Sequence, residues 1–170
     1  NQLNVDMQKK GIRLYANKEA EVTYTMFNMR DPVVGGSSLD KIALRRAIAM
    51  SLNMNEYIRI LRKGQAVKAE MLVPAGVNGH NPDYRSSIGY NPVLANKLLD
   101  HFGYKKAADG YRTFPNGKPL ILKINTESSS SAVMYSELWK KGLDAIGIRA
   151  DFKVSNFADN LKVAGFKNYL

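Results

Sequence analysis

At 170 residues, with 45% hydrophobic and 24% charged side chains, the chain has the size and composition of one globular domain, which excludes a disordered tail or a fibrous repeat. Cysteine is absent, excluding disulfides, thiolate metal sites and a cysteine nucleophile, and no run approaches the roughly 20 apolar residues that cross a bilayer. A formal charge of +10 invites a nucleic-acid or anionic-membrane surface, yet the longest basic runs are pairs (Lys9-Lys10, Arg45-Arg46, Lys105-Lys106, Lys140-Lys141) that suit solvated helix faces.

Residues 1–10 hold neither an initiator Met nor a signal-peptide apolar region, so the chain reads as a piece of a longer protein. Residues 21–28 read as a strand, because Val22, Tyr24 and Met26 alternate with Thr23 and Thr25. A loop with Pro32 and Gly35-Gly36 follows. Ser38 then caps a helix with Asp40 in its first turn and an apolar stripe of Leu39, Ile42, Ala43, Ala47 and Met50. Asn53 and Glu56 have capping-box spacing, which predicts a second short helix carrying Tyr57, Ile58 and Leu61 and broken by Gly64. Its turn lacks the base-reading side chains of a DNA recognition helix.

Residues 65–90 contain Pro74, Gly76, Gly79, Pro82 and Gly89, predicting a short strand over residues 69–73 and then a long ordered loop. Asn91 caps a third helix with Pro92 at its first position and Gly103 at its end, burying Leu94, Leu98, Leu99 and Phe102. Asn116-Gly117 predicts a β-hairpin within residues 111–125. The outgoing strand, residues 120–125, leads to a helix with Met134, Leu138, Trp139 and Ile146 inward and Gly147 closing it. A strand over residues 148–154 then places Ile148, Ala150, Phe152 and Val154 on one face.

Strand, helix and strand in about 35 residues make a βαβ unit, a right-handed crossover between parallel strands. The fold class is therefore α/β, with a mixed sheet and flanking helices. Small molecules bind beyond the carboxyl ends of such strands, here residues 126–131 and 155–157. A last amphipathic helix is expected from Phe157 to Val163, and the chain ends at Leu170 without a cap.

Little in the chain suggests catalysis. His80 and His101 are the two histidines, and neither has a second ligand at metal-binding spacing. The serines at 128–131 lack a nucleophile elbow and a nearby histidine base. They suit either a helix cap or contact with a carboxylate or other polar ligand group, because a helix start offers free N–H groups and partial positive charge. No phosphate loop or Gly-x-Gly-x-x-Gly occurs, and the acidic residues are dispersed. A basic nucleic-acid-binding α/β domain is the alternative from another class, and a small hydrolase using the serine loop is a further rival.

The order of elements resembles a known family. Tyr24-Thr25-Met26-Phe27-Asn28, then residues 40–51 (DKIALRRAIAMS) and residues 53–58 (NMNEYI), resemble the middle of family 5 extracellular solute-binding proteins. Leu72-Val73-Pro74, residues 91–104 (NPVLANKLLDHFGY), Asn116-Gly117-Lys118-Pro119-Leu120 and residues 143–148 (LDAIGI) match that family's successive landmarks. Each motif is unspecific alone, but together, over residues 23–163, their order and spacing are specific.

The resemblance implies one lobe of a periplasmic-binding-protein-like fold (type II, cluster C), with residues 1–170 forming the inserted second lobe and the other lobe absent. It implies a periplasmic or lipid-anchored receptor, not an enzyme, that holds a solute such as a peptide between two lobes and presents it to an ABC permease without a cofactor or metal. Carried over residue by residue, Asn28 lies where the chain crosses between lobes, and Thr126, Ser128, Ser129, Asn156 and Phe157 approach the ligand. The chain stops before the Trp and Asp-Pro-rich segment that helps bind ligand in the family, so it is expected to hold half a cleft.

Overall fold

The computed structural model describes residues 4–13, 15, 17 and 19–165, with side chains as far as residue 162. The expectations for residues 166–170 and for the Val163 side chain lie outside these. Helix α1 (Val5–Lys9), which the sequence reading did not anticipate, is capped by Asn4, whose side chain accepts from the Met7 amide at 2.9 Å.

Residues 21–28 do not form a strand. They are unpaired, and a strand exists only where a second backbone runs alongside it. The Asp31 carboxylate next accepts from the amides of Val33 (2.8 Å) and Val34 (3.0 Å), folding the loop before helix α2 (Leu39–Ser51). Gly35 is required in that loop, since a Cβ there would stand 2.4 Å from the Met29 carbonyl oxygen. Two cations of α2 hold the loop from below. Lys41 Nζ donates to the carbonyls of Pro32 and Val33, and Arg45 Nη1 to those of Val34 and Gly36.

Ser38 occupies the cap position of α2 without a side-chain bond to a backbone amide. The buried face is Ala43, Leu44, Ala47, Ile48, Met50 and Ser51; Ala43, Ala47 and Met50 of the expected stripe lie on it, whereas Leu39 and Ile42 are exposed. Helix α3 (Met54–Ile60) is capped by Asn53, which accepts from the Glu56 amide at 3.1 Å. Gly64, with φ +76°, follows it.

The strand expected at residues 69–73 is absent too, again for want of a partner. Side chains order the long loop instead: Glu70 accepts from the Ser86 amide at 3.0 Å, and His80 Nδ1 lies 2.8 Å from the Val73 carbonyl. Helix α4 (Pro92–His101) starts at Asn91, which accepts from the Leu94 amide and donates its own N–H to the Met50 carbonyl at 2.9 Å, fixing α4 on α2. Ala95 and Leu99 are buried, and Leu98 and Phe102 are half-buried. Leu94 is exposed, one position off the i, i+3, i+4 row that faces α2.

The Asn116-Gly117 turn closes as expected, with the Phe114 amide donating to the Lys118 carbonyl at 2.8 Å. The hairpin ladder is limited to single bridges, Thr113 with Pro119 and Lys106 with Arg112, since Pro119 has no N–H to extend it. Strand β1 (Ile121–Glu127), helix α5 (Ser130–Ala145) and strand β2 (Arg149–Ser155) form the βαβ unit. β1 and β2 pair in parallel from Ile121 with Arg149 to Glu127 with Ser155. Trp139, Leu143, Ile146 and Ile148 are buried as alternation and helical spacing require, whereas Met134 and Val154 are exposed near the open ends of their elements. Helix α6 (Phe157–Gly165) follows β2 directly.

One buried side chain joins these pieces. Arg112, 2% exposed, donates from Nε to the Ile146 carbonyl (2.7 Å), from Nη1 to the Asp100 carboxylate (2.6 Å) and the Tyr104 carbonyl, and from Nη2 to Asn96 Oδ1 (2.8 Å). A guanidinium is suited to this place because its planar fork can satisfy several carbonyls at once while its charge faces the negative end of α5.

Candidate functional site

The parallel register brings the carboxyl ends of β1 and β2 to one edge, where α5 and α6 both begin. Ser129 caps α5, its Oγ accepting from the Ala132 amide and lying 3.2 Å from Ser131 Oγ. Asn156 caps α6: Oδ1 accepts from the Asp159 amide at 2.9 Å, and Nδ2 donates to the Asp159 carboxylate at 2.8 Å. The first turn of α5 carries no acidic side chain, so its partial positive charge meets only the Ser129 cap and the exposed Ser131 hydroxyl. At α6 Asp159 already occupies that role.

Thr126 is more structural than its neighbours. Ser136 Oγ donates to its Oγ1 at 3.4 Å, and Asn160 Nδ2 donates to its carbonyl at 3.0 Å, tying α6 to the end of β1. Ser128 is exposed, and Phe157 is 66% exposed, an apolar ring left in water beside the two helix starts. Five of the six expected residues, Thr126, Ser128, Ser129, Asn156 and Phe157, thus gather at one edge. Asn28 is not joined to them: its side chain accepts from the Arg30 amide and its carbonyl from the Asp31 amide, both local turn bonds. Ser136 and Asn160 were not anticipated; Asn160 stands one turn beyond the Asn156 cap at i, i+4 spacing, which was an available signal, whereas Ser136 lies two turns beyond Ser129 and had none.

A concavity of about 720 Å³ lies elsewhere, between the start of α3 and Tyr90, with the Glu56–Lys141 ion pair (2.8 Å) on its wall. It contains none of the strand-end residues. The strand-end edge is the candidate site that the sequence reading named, and it brings together exposed serines, the start of α5 and an exposed aromatic ring.

The rival readings find no support in the geometry. His80 is engaged with the Val73 carbonyl and His101 stacks edge-on against Phe102 at 5.1 Å, so neither is hydrogen-bonded to the serine loop. The basic side chains are dispersed into use: Lys41 and Arg45 hold a loop, and Arg112, Lys68, Lys140, Lys141, Arg149 and Lys162 are ion-paired. Among the described residues no group of three His, Asp or Glu side chains could hold a metal, and no helix is long and apolar enough to cross a membrane.

The fold is that of a lobe of a periplasmic-binding-protein-like α/β protein. Solved structures share it: the periplasmic oligopeptide-binding protein of an oligopeptide ABC transporter from Thermotoga maritima is 26% identical, with a TM-score of 0.59 over 71% of this chain and 24% of that one. The oligopeptide-binding protein AppA from Bacillus subtilis, solved with a nonapeptide, superposes with a TM-score of 0.65 over 71% of this chain and 24% of that one at 17% identity, which speaks to the fold alone. The dipeptide-binding protein of Escherichia coli (strain K12) is 26% identical over 157 residues, 92% of this chain and 27% of that protein.

A family model for bacterial extracellular solute-binding proteins, family 5 Middle, matches residues 1–169, and the chain belongs to that family. It spans about a quarter of the length of the relatives it matches.

Proposed function

We propose that the chain is one lobe of the substrate-binding component of an ABC importer, which holds an extracytoplasmic solute such as a peptide between two lobes and delivers it to a membrane permease. The observation that carries this reading is the match to the family across residues 1–169, in a fold whose strand ends present a ligand-competent edge. In this reading residues 1–170 are the inserted second lobe, and the first lobe belongs to the parent protein, which is periplasmic or lipid-anchored. The protein performs no chemistry and needs no cofactor.

Each residue at the edge then has a task. The α5 start and the hydroxyls of Ser128 and Ser129 receive a carboxylate or carbonyl of the solute, Phe157 covers its apolar part, and Thr126 and Asn156 fix the two loops. Asn28 marks the passage between lobes. A ligand touching both lobes shifts the open and closed states toward closure by its differential affinity for them. One lobe alone offers half of these contacts.

Native mass spectra of the full-length protein, purified without refolding and recorded before and after denaturation, test this reading. A released peptide ladder or one discrete small molecule is expected. A full-length protein with no second lobe, or one that stays empty after incubation with mixed peptides and nickel chelates, would overturn it.

A further inference from the structure

The sequence contains two Asn-Gly pairs, Asn78-Gly79 and Asn116-Gly117, and one Asp-Gly pair, Asp109-Gly110. At such pairs a backbone can react with its own side chain, because glycine has no Cβ to screen its nitrogen from the carbonyl carbon of the side chain before it. All three pairs are exposed, so access to water does not separate them. Hydrogen bonding does. Asn116 Oδ1 accepts from the Lys118 amide at 3.1 Å, and the Gly117 N–H donates to the Phe114 carbonyl at 2.9 Å. Asp109 accepts at Oδ1 from the Tyr111 amide (3.0 Å) and at Oδ2 from Arg149 (2.7 Å), while the Gly110 N–H donates to the Ala107 carbonyl at 3.0 Å. In both pairs the side chain and the nitrogen that would attack it are each tied to a third group.

Asn78 and Gly79 differ. Neither the Asn78 carboxamide nor the Gly79 N–H has a hydrogen-bond partner among the described residues. Their neighbours shape the loop instead: the Val77 N–H donates to the Pro74 carbonyl at 3.2 Å, the His80 N–H to the Val77 carbonyl at 3.1 Å, and His80 Nδ1 lies 2.8 Å from the Val73 carbonyl. We propose that Asn78 is a site of spontaneous deamidation, and that the fold locks the same dipeptide at Asn116 against it. The Gly79 nitrogen attacks Asn78 Cγ, the Cγ–Nδ2 bond breaks, and the proton of the attacking nitrogen passes through water to Nδ2, which leaves as ammonia. The succinimide so formed takes up water at either carbonyl and opens to aspartate or isoaspartate. A neutral amide thereby becomes a carboxylate, and isoaspartate also lengthens the backbone inside the turn from Val77 to His80, where His80 is anchored.

Peptide mapping by mass spectrometry of the full-length protein, aged in mildly alkaline buffer, tests this. Conversion at Asn78 should be about tenfold or more faster than at Asn116, since two hydrogen bonds must open before Asn116 reacts. In guanidinium chloride the two rates should converge, because the bonds that protect Asn116 are then gone. Asn78→Gln, whose longer side chain closes a ring far more slowly, should remove the earliest acidic species seen by isoelectric focusing while unfolding like wild type. A smaller ratio in the folded protein, or no conversion at Asn78, would overturn the proposal. So would a difference that persists in guanidinium chloride, because it would then belong to the neighbouring residues and not to the fold.

Discussion

Gly142 of α5 lies so close to Ser51 of α2 that a Cβ on it would stand 2.4 Å from the Ser51 carbonyl oxygen. The hydroxyl of Ser51 turns back to its own helix, donating to the Ile48 carbonyl at 2.8 Å, so backbone rather than a flexible side chain meets the glycine. Gly142→Ala would gain about 1 kcal/mol of helix propensity and still be destabilising by roughly 1–3 kcal/mol, because the two helices must part. Urea unfolding of the full-length protein checks the sign.

Arg112 ends in four acceptors from three segments, and no hydrophobic isostere can replace it. Arg112→Met leaves the carbonyls of Ile146 and Tyr104 without their donor, and the expected loss is about 3–5 kcal/mol. Arg112→Lys should recover only part of that, since an ammonium cannot reach both carbonyls and Asn96 in one plane. Thermal unfolding of the three proteins gives the ranking.

The elements most legible in the sequence are those with strictly local causes. Asn53 and Asn91 cap helices as read, Gly117 sits in its turn with φ +81°, and the alternation of residues 148–154 gives β2. The misreadings at residues 21–28 and 69–73 share one reason: alternation describes a strand's willingness to pair, not the presence of a partner. Leu39, Leu94 and Met134 were misplaced because helical spacing fixes a face's width but not which row meets the neighbour. The site was readable as a strand-end edge through the βαβ rule, whereas the Asn160 bond to the Thr126 carbonyl depends on how α6 turns back, which no local pattern encodes. The buried role of Arg112 was likewise hidden, since its partners lie on three separate segments.

The Tyr104 hydroxyl donates to the Asp40 carbonyl at 3.1 Å, and burial, with the nearby Asp40 charge, pushes the phenol above its ordinary value. A raised value means that the folded protein keeps a proton which the unfolded chain releases. The corresponding stability is fully present below about pH 10 and declines as pH rises above it. Tyr104→Phe should remove that component, so the difference in unfolding free energy between wild type and variant should shrink between about pH 9 and 11. Asp40 behaves oppositely. Its carboxyl is held below the usual value chiefly by the Ser38 side chain, so its contribution is present above about pH 4 and lost as pH falls.

Ser129→Ala removes the α5 cap and should cost about 1 kcal/mol, while leaving the backbone N–H groups of the helix start in place. Solute binding by the full-length protein should therefore weaken only modestly, whereas Ser129→Asp, which keeps a cap but brings negative charge to the α5 start, should weaken binding of an anionic solute more than Ser129→Ala does. Calorimetric titration of both variants separates capping from contact.

The most direct test of the strand-end edge as half of a solute cleft is Phe157→Ala in the full-length protein, titrated calorimetrically with the solute that copurifies with it. Phe157 is largely exposed in this lobe, so its loss should change the melting temperature of the empty protein very little. Affinity is predicted to fall about tenfold or more, as for a buried aromatic anchor in a closed interface. Unchanged affinity, with the variant folded as wild type, would contradict the assignment of this edge to the cleft.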